Sequence, residues 1–371
     1  MHSDVLVVGG GPAGLAAAIA ARAKGLRVTL VDSRRPPIDK PCGEGLLPEA
    51  AEALRSLNVD FDSRRNFAFT GIRFSDAASC VSAQFDGASG YGIRRTVLHR
   101  LLVERAEAVG VTLLWGAHAR TQNSFCAEVD GRRIFFRWLI AADGLNSRIR
   151  GQAGGRAGLD PFWRRRGRFA FRQHVACAPW GDLVEVHWGD GCQIIVTPTG
   201  PAEICLALFT SDHRIRLANA LAQFPELARR IAGASPTSRE SGARTALSRA
   251  RFVVRGNLAL VGDAACSIDG IAGQGLNLAF QAASHLANAL AKEDLRSYEK
   301  AHREITRTPF SITRLMLLMA RYPWIRKKTL RMFAARPGLF ANMMSIHAGL
   351  GEADACGFQE LCGLGWRVLR A

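Results

Sequence analysis

The feature that most constrains this chain lies between Val5 and Asp32. Val5 to Val8 is a short β-rich apolar run, Gly9-Gly10-Gly11-Pro12-Ala13-Gly14 follows it, and the alanine-rich stretch Leu15 to Lys24 comes next. Gly25 stops that helix, and Val28 to Val31 forms a second buried strand ending at Asp32. In this Gly-x-Gly-x-x-Gly pattern Gly9 makes a tight turn, Gly11 lets the backbone approach a pyrophosphate, and Gly14 lets the helix pack closely. A pyrophosphate then lies on the helix N-terminus, and Asp32 accepts from a ribose hydroxyl. A tight turn without a ligand is the competing reading of the glycines alone. The whole strand–turn–helix–strand context points instead to a dinucleotide site, without separating FAD from NAD(P).

The rest of the chain alternates in texture. Phe67 to Phe85 reads as two strands joined by a turn, and Thr96 to Val109 as a helix with Leu98, Leu101, Leu102 and Ala106 on one face. Val111 to Trp115 is a strand, Phe125 to Phe136 a hairpin turning at Asp130-Gly131, and Trp138 to Ala142 another buried strand. From about residue 168 to 210 the runs Leu183–Trp188, Gln193–Val196 and Glu203–Phe209 are split by Gly and Pro, as in an antiparallel sheet. A helical stretch over 213–232 follows, then a buried strand Leu258–Val261 and a long helix Gly275–Ala291. The dinucleotide pattern thus returns twice, with sheet-rich segments between. Two interleaved domains are expected.

Composition excludes several classes. With 371 residues, 48% hydrophobic and 22% charged, the chain has enough apolar content for a sizeable core, unlike a disordered chain. The 37 Gly show no triplet repeat, and nine Cys over this length do not make a disulfide scaffold. The net charge is +17, and of 49 Lys+Arg only six are Lys (24, 40, 292, 300, 327 and 328), which leaves 43 Arg. A basic balance draws anionic partners, but no paired Cys/His finger or aromatic-glycine RNA box accompanies it, so no nucleic acid is expected. No Cys-x-x-Cys pair occurs, and Ile204-Cys205-Leu206 is typical of small buried hydrophobes. With no secretory-type start and no apolar run of about 18 residues, a cytoplasmic, reduced protein is expected.

Two later segments resemble a known family. Trp138-Leu139-Ile140-Ala141-Ala142-Asp143-Gly144-Leu145-Asn146-Ser147-Arg148 resembles the Asp-Gly motif of flavin-dependent aromatic hydroxylases of the p-hydroxybenzoate hydroxylase type. Leu258-Ala259-Leu260-Val261-Gly262-Asp263-Ala264-Ala265 resembles their Gly-Asp motif, and Gly273-Gln274-Gly275-Leu276-Asn277 follows it. The resemblance implies that Asp263 binds the FAD ribityl chain, that residues 273–277 face the flavin ring, that Asp143 serves both FAD and NAD(P)H, and that Arg95 contacts FAD. Taken alone, Asp143 also suits a turn and Asp263 a helix N-cap. A helix N-terminus at 273–277 would favour the negative charge of a reduced flavin, and glycine permits close approach to a flat ring.

Two departures point to a second branch of the superfamily. Ser267-Ile268-Asp269-Gly270-Ile271 replaces the hydroxylases' Pro-containing step, and Asp269 there resembles the geranylgeranyl reductases. So does Lys40-Pro41-Cys42-Gly43-Glu44-Gly45-Leu46, which in that branch lies near the flavin. Gln274 and Leu276-Asn277 remain hydroxylase-like, and the Trp-x-Trp-x-Ile-Pro signature of tryptophan halogenases is absent. Cys42 is either a reactive thiol, activated by Lys40 or a helix N-terminus, or a small residue fitted under the flavin, and the second reading is favoured. Cys266 reads as packing. His174 and His187 on the substrate sheet are candidate pocket residues or simply satisfied polar groups. No cluster has metal-ligand spacing, and no nucleophile elbow is present.

Met316, Met319, Met332, Met343 and Met344 fall in a C-terminal stretch rich in Leu, Phe and Arg. Met suits a lipophilic pocket, and a basic amphipathic helix can lie on anionic membrane; a helical cover packed on the core, its basic face solvated, is the first reading.

The expected fold is therefore α/β: a Rossmann-type FAD-binding domain (residues 1–66, 94–150 and 250–306) interleaved with an antiparallel β-sheet substrate domain (67–93 and 151–249), plus C-terminal helices (307–371). The expected cofactor set is Gly9, Gly11, Pro12, Ala13, Gly14, Asp32, Ser33, Arg34, Cys42, Gly43, Arg95, Ala119, Asp143, Gly144, Gly262, Asp263, Gly273, Gly275, Leu276 and Asn277. No catalytic acid or base is nominated. The resemblance implies FAD, NAD(P)H as reductant and a small lipophilic or aromatic substrate, with O2 as co-substrate for hydroxylation. Hydroxylation is placed first and reduction of isoprenoid or other apolar C=C bonds second. A non-enzymatic flavin-holding protein on the membrane periphery is third.

Overall fold

The computed structural model describes residues 1–61, 66–159 and 167–351. Cys356, Cys362 and the end of the expected C-terminal segment lie outside the described residues. One sheet has the strand order Val254–Arg255, Leu258–Leu260, Arg132–Ala141, His2–Val8, Val28–Asp32, Thr112–Trp115. Four of its pairings are parallel, and an arm of two antiparallel strands, Cys126–Val129 and Ala119–Asn123, branches from Arg132–Ala141. Parallel strands covered on both faces require continuous apolar runs, and Val5, Leu6, Val7, Val28, Leu30 and Val31 are all buried. The helix Pro12–Ala23 packs on the helix Gly275–Ala291, and both are rich in buried alanine (Ala16, Ala17, Ala20, Ala283 and Ala287 among them). Each fully buried Leu or Ile here, such as Leu15 and Ile19, contributes about 1.5–3 kcal/mol.

The second sheet runs Ser241–Thr245, Arg168–Val175, Glu203–Thr210, Cys192–Gly200, Leu183–Trp188, Gly71–Ser75, Cys80–Gln84. It is antiparallel except where Leu183–Trp188 pairs with Gly71–Ser75. That parallel pair exists because the hairpin 71–84 arrives from much earlier in the chain. One face of the sheet carries Ile194, Val196, Leu206 and Leu208, and packs against the short helices between 217 and 230. The other face carries Phe74, Val184, Val186, Ile195 and Phe209 and packs with the C-terminal helices Leu295–Arg321, Pro323–Ala335 and Pro337–Ala348. Phe340 meets Phe74 edge-on with ring centroids 5.3 Å apart, and Phe333 at 5.2 Å.

Several boundaries differ from the sequence reading. Trp138–Ala142 is not a separate strand, because the hairpin strand that begins at Arg132 runs on through Ala141. The stretch 213–232 breaks at Phe224-Pro225, since proline cannot continue the preceding helix. Gly90–Gly92 pairs with Phe67–Phe69 on one side and with Gly45–Leu46 on the other, so only 71–84 of the expected 67–93 segment joins the second sheet.

Candidate active site

The two sheets enclose one cavity of about 1,200 Å³. Typical single-ligand pockets hold roughly 300–1,000 Å³, so this one has room for a dinucleotide and a second molecule. Its first half is a crevice of loop backbone at the strand ends. Gly9 has φ +114°, and a Cβ there would lie 2.3 Å from the Ala142 carbonyl oxygen; a Cβ on Gly14 would lie 1.8 Å from that of Gly9. Gly10, to which the sequence reading gave no role, is also tight, because its Cβ would meet the outer edge of the Trp115 ring at 2.2 Å, where the side chain rather than backbone must give way. Gly11 faces open space, so the turn leaves room above the helix N-terminus. Asp32 accepts from Gly10 N at 2.6 Å and Arg34 N at 2.7 Å, which locks the turn and leaves further lone pairs for a hydroxyl.

Opposite this turn stand the later motifs. Asp143 accepts from Arg148 N (2.8 Å) and Ile149 N (3.2 Å) through Oδ2, while its buried Oδ1 has no partner among the described residues. Arg95 donates its backbone N–H to Glu44 Oε1 at 2.9 Å, and its buried Nε has no partner among the described residues. Lys40 donates to Asp263 Oδ2 at 2.7 Å, tying the loop before Cys42 to the Gly262–Ala264 turn. Gly273 (φ +66°) is left-handed, and both it and Gly275 at the start of the long helix face open space.

Of the twenty expected cofactor residues, all but Gly14 and Asn277 line the cavity. Gly14 sits behind the turn. Asn277 is two helical positions past Gly275 and so is rotated about 200° away; it donates to Glu49 Oε2 (2.8 Å) and Gln274 Oε1 (2.9 Å) instead. Gln274 also turns inward and donates its amide N–H to His347 Nδ1 at 3.2 Å and to the His347 carbonyl. Nδ1 therefore accepts and the ring proton of His347 sits on Nε2. Burial pushes this imidazole down to about 4, opposed by the hydrogen bond it donates to the Ala272 backbone carbonyl. His347 lines the cavity from the last helix, and nothing local in the sequence marks it.

The second half of the cavity is apolar, with Phe69, Ile72, Phe74, Val184, Ile195 and Phe209 from the sheets and Met316 and Met344 from the C-terminal helices. His187 is not on this wall. Strand residues alternate faces, so Val184 and Val186 point inward while Glu185 and His187 point outward, where His187 bonds Glu185 (2.9 Å) and Ser75 (3.1 Å). His174 lies one layer behind the wall, between Glu44 Oε2 (2.5 Å) and Ser238 Oγ (2.9 Å).

Glu44 is the hub of the junction between the halves. It is almost fully buried with φ +59°, and besides His174 and Arg95 it accepts from Arg172 Nη1 at 2.8 Å. Arg172 also bonds Asp39 through both Nη atoms (3.0 and 2.8 Å). Burial works against that guanidinium's charge, but Asp39 and Glu44 outweigh it and hold its pKa above the usual value. Glu44, His174 and Cys205 bring their ligand atoms within 4.8 Å of one another. A metal ion does not suit this trio, because the Arg172 cation already holds the carboxylate and burial keeps the Cys205 thiol protonated. Cys42 lies on the cavity wall beside the hub. Its sulfur accepts from Glu44 N at 3.4 Å, which leaves the thiol proton uncommitted among the described residues. Asp269 is fully buried, accepts from Arg168 Nε at 3.1 Å and caps Ile271 N at 3.2 Å, so it fixes the 270–273 loop from behind.

The family model described as "FAD binding domain" matches residues 2–162. The chain is 29% identical over 351 residues to menaquinone reductase of Mycobacterium tuberculosis, covering 86% of this chain and 85% of that protein. It is 26% identical over 339 residues to digeranylgeranylglycerophospholipid reductase of Methanocaldococcus jannaschii, covering 81% and 82%. The fold is similar to that of the flavin-dependent brominase Bmp2, with TM-score 0.82 and 19% identity over 99% of this chain and 100% of that one. The residues in the crevice fit FAD: the open positions at Gly11, Gly273 and Gly275 leave room for backbone to meet the group, and the orphaned Asp143 Oδ1 and Arg95 Nε lack partners that a polar dinucleotide can supply.

Proposed function

Because this chain belongs to the superfamily of FAD-dependent oxidoreductases that unites the p-hydroxybenzoate hydroxylase-type monooxygenases and the geranylgeranyl reductases, we propose that it reduces carbon–carbon double bonds in an isoprenoid or similarly apolar substrate, with NAD(P)H as the reductant. This reverses the order in which the sequence alone placed the two reactions. The observation that carries it is the apolar chamber with the Cys42 thiol at its junction with the crevice. Two of the three residues that read as hydroxylase-like also bear on this. Gln274 and Asn277 turn away from the cavity and hold His347 and Glu49, while Leu276 stays on its wall. The two reductases similar over most of this chain's length support the same reading.

FAD held by the crevice residues would, once reduced by NAD(P)H, supply the hydride that a double-bond reduction needs. The residues of the chain do the rest. Phe74, Val186, Phe209 and Met316 exclude water from the substrate chain. Cys42 holds a proton at Sγ for the second carbon, and the thiolate left behind regains a proton from solvent. NAD(P)H and one proton are thus consumed per double bond, and the product gains two hydrogens. The expected loss on Cys42→Ser is about 10²–10⁴-fold in turnover, with flavin content unchanged. A variant that keeps full turnover would remove Cys42 from the chemistry. The test of the reaction itself is product mass after incubation with a polyprenyl lipid and NAD(P)H, where a gain of two hydrogens is expected and a gain of one oxygen atom overturns the reading. Hydroxylation with O2 is the second reading, favoured by Arg244 on the cavity wall, a cation able to hold a phenolate.

A further inference from the structure

Between Glu304 and Glu352 the sequence holds no Asp or Glu, yet it carries a series of Arg and Lys residues. The helix Pro323–Ala335 lies in the middle of this block and is split lengthwise. Ile325, Arg326, Thr329, Leu330 and Phe333 are buried against the core. Arg326 is the one cation on that inner face, where it donates to the Gly189 carbonyl (2.9 Å) and Asp190 (2.8 Å). On the opposite face Trp324, Lys327 and Arg331 are exposed at helical spacing, with Arg321 and Arg336 exposed just beyond the two ends. Trp324 is 51% exposed, one of few large hydrophobic side chains left in water among the described residues.

We infer that this outer face docks the protein on an anionic lipid bilayer. The inference rests on the lipophilic-substrate reading above and names the surface from which that substrate is drawn. Indole belongs at the boundary between headgroups and acyl chains, and clustered Lys and Arg are attracted to anionic lipid headgroups. A face of cations without carboxylates complements such a surface along its whole length. Nucleic acid would complement the charge but gives an isolated Trp no base-reading partners, and a second copy of this face would be repelled. The neighbouring helices of the same block supply Met316 and Met344 to the chamber wall. Docking therefore holds the chamber beside the phase in which an apolar substrate is dissolved.

The test is flotation of the full flavin-loaded chain with phosphatidylglycerol/phosphatidylcholine vesicles and with pure phosphatidylcholine vesicles. Binding is expected to the first alone and to be released by high salt. Lys327→Ala with Arg331→Ala should weaken the partition about 30-fold, and Trp324→Ala should weaken it further. The control pair Arg132→Ala with Arg133→Ala, also exposed but at the start of the sheet strand that carries the branching arm, should leave it unchanged. Equal loss in the control, no binding to anionic vesicles, preference for a DNA duplex, or burial of the face in a dimer would each overturn the inference. Because no substrate is present, a wrong reaction leaves this result standing. Failure to bind vesicles likewise leaves the product-mass result untouched.

Discussion

The crevice and the chamber are two halves of one cavity built by opposite means. The crevice is made of backbone, with glycines at contacts too close for a side chain and carboxylates locked onto neighbouring N–H groups. The chamber is made of side chains from strands and helices far apart in the chain, and its shape depends on which face of each element points inward. A site made from backbone tolerates almost no change at its few key positions. A site made from packed apolar side chains tolerates volume-conserving changes, so substrate range can vary while the cofactor stays the same.

This contrast is sharpest at Gly14. A side chain there would start 1.8 Å from the Gly9 carbonyl oxygen, so Gly14→Val should abolish flavin binding and most soluble folded protein, read as flavin per protein after gel filtration. Near-normal flavin content would show that the turn can relax and would break the comparison. In the chamber half, Arg326→Ala should cost about 3–5 kcal/mol, because it leaves the buried Asp76 carboxylate, 3.8 Å away, without its cation. Thermal melting with flavin fluorescence should show the C-terminal helices loosening while flavin stays bound at low temperature.

Acid should loosen the join between the halves. His347 stays neutral in the fold down to about 4, while an imidazole in the unfolded chain titrates near 6.5. Above that value both forms are neutral and stability is unaffected. As pH falls through the window, the unfolded chain gains the proton first and stability drops, by about 3 kcal/mol once pH reaches the folded value. The buried His302, also pushed down to about 4 by desolvation with Arg249 adding to it, acts in the same direction. Denaturant melts at pH 7 and pH 4.5 should show a smaller difference for His347→Gln than for the parent, and equal slopes would contradict the assignment. The smallest effect is expected at His187, which is outside the cavity; His187→Ala should leave turnover within about twofold and stability within about 1 kcal/mol.

What was legible in the sequence follows the same division. The turn and its Asp32 anchor lie within one βαβ unit, so spacing alone located them, and the Gly275–Ala291 helix was read to its bounds. Strand alternation showed that residues 183–188 form a sheet strand but not which face meets the cavity, and His187 fell on the wrong side. Glu44, Arg172 and His174 became a site only when the strand Arg168–Val175 was laid against the 40–46 loop, a contact no local pattern encodes. The one signal available was an Arg among alternating apolar residues on a strand, a charge at an inward position that must find a partner. Likewise the hydroxylase-like residues 274 and 277 matched a motif, yet helix rotation turned them from the cavity.

The central claim is that the chamber delivers a double bond to the cofactor held in the crevice. The most direct measurement is an anaerobic single turnover: the photoreduced holoprotein is mixed with a polyprenyl lipid in rigorously deoxygenated buffer while flavin absorbance is recorded. The account predicts that oxidised flavin returns with oxygen excluded, faster as lipid concentration rises, and more slowly in Cys42→Ser. Flavin that stays reduced across the lipid panel and reoxidises only when oxygen is admitted, with oxygen then found in the product, would contradict it.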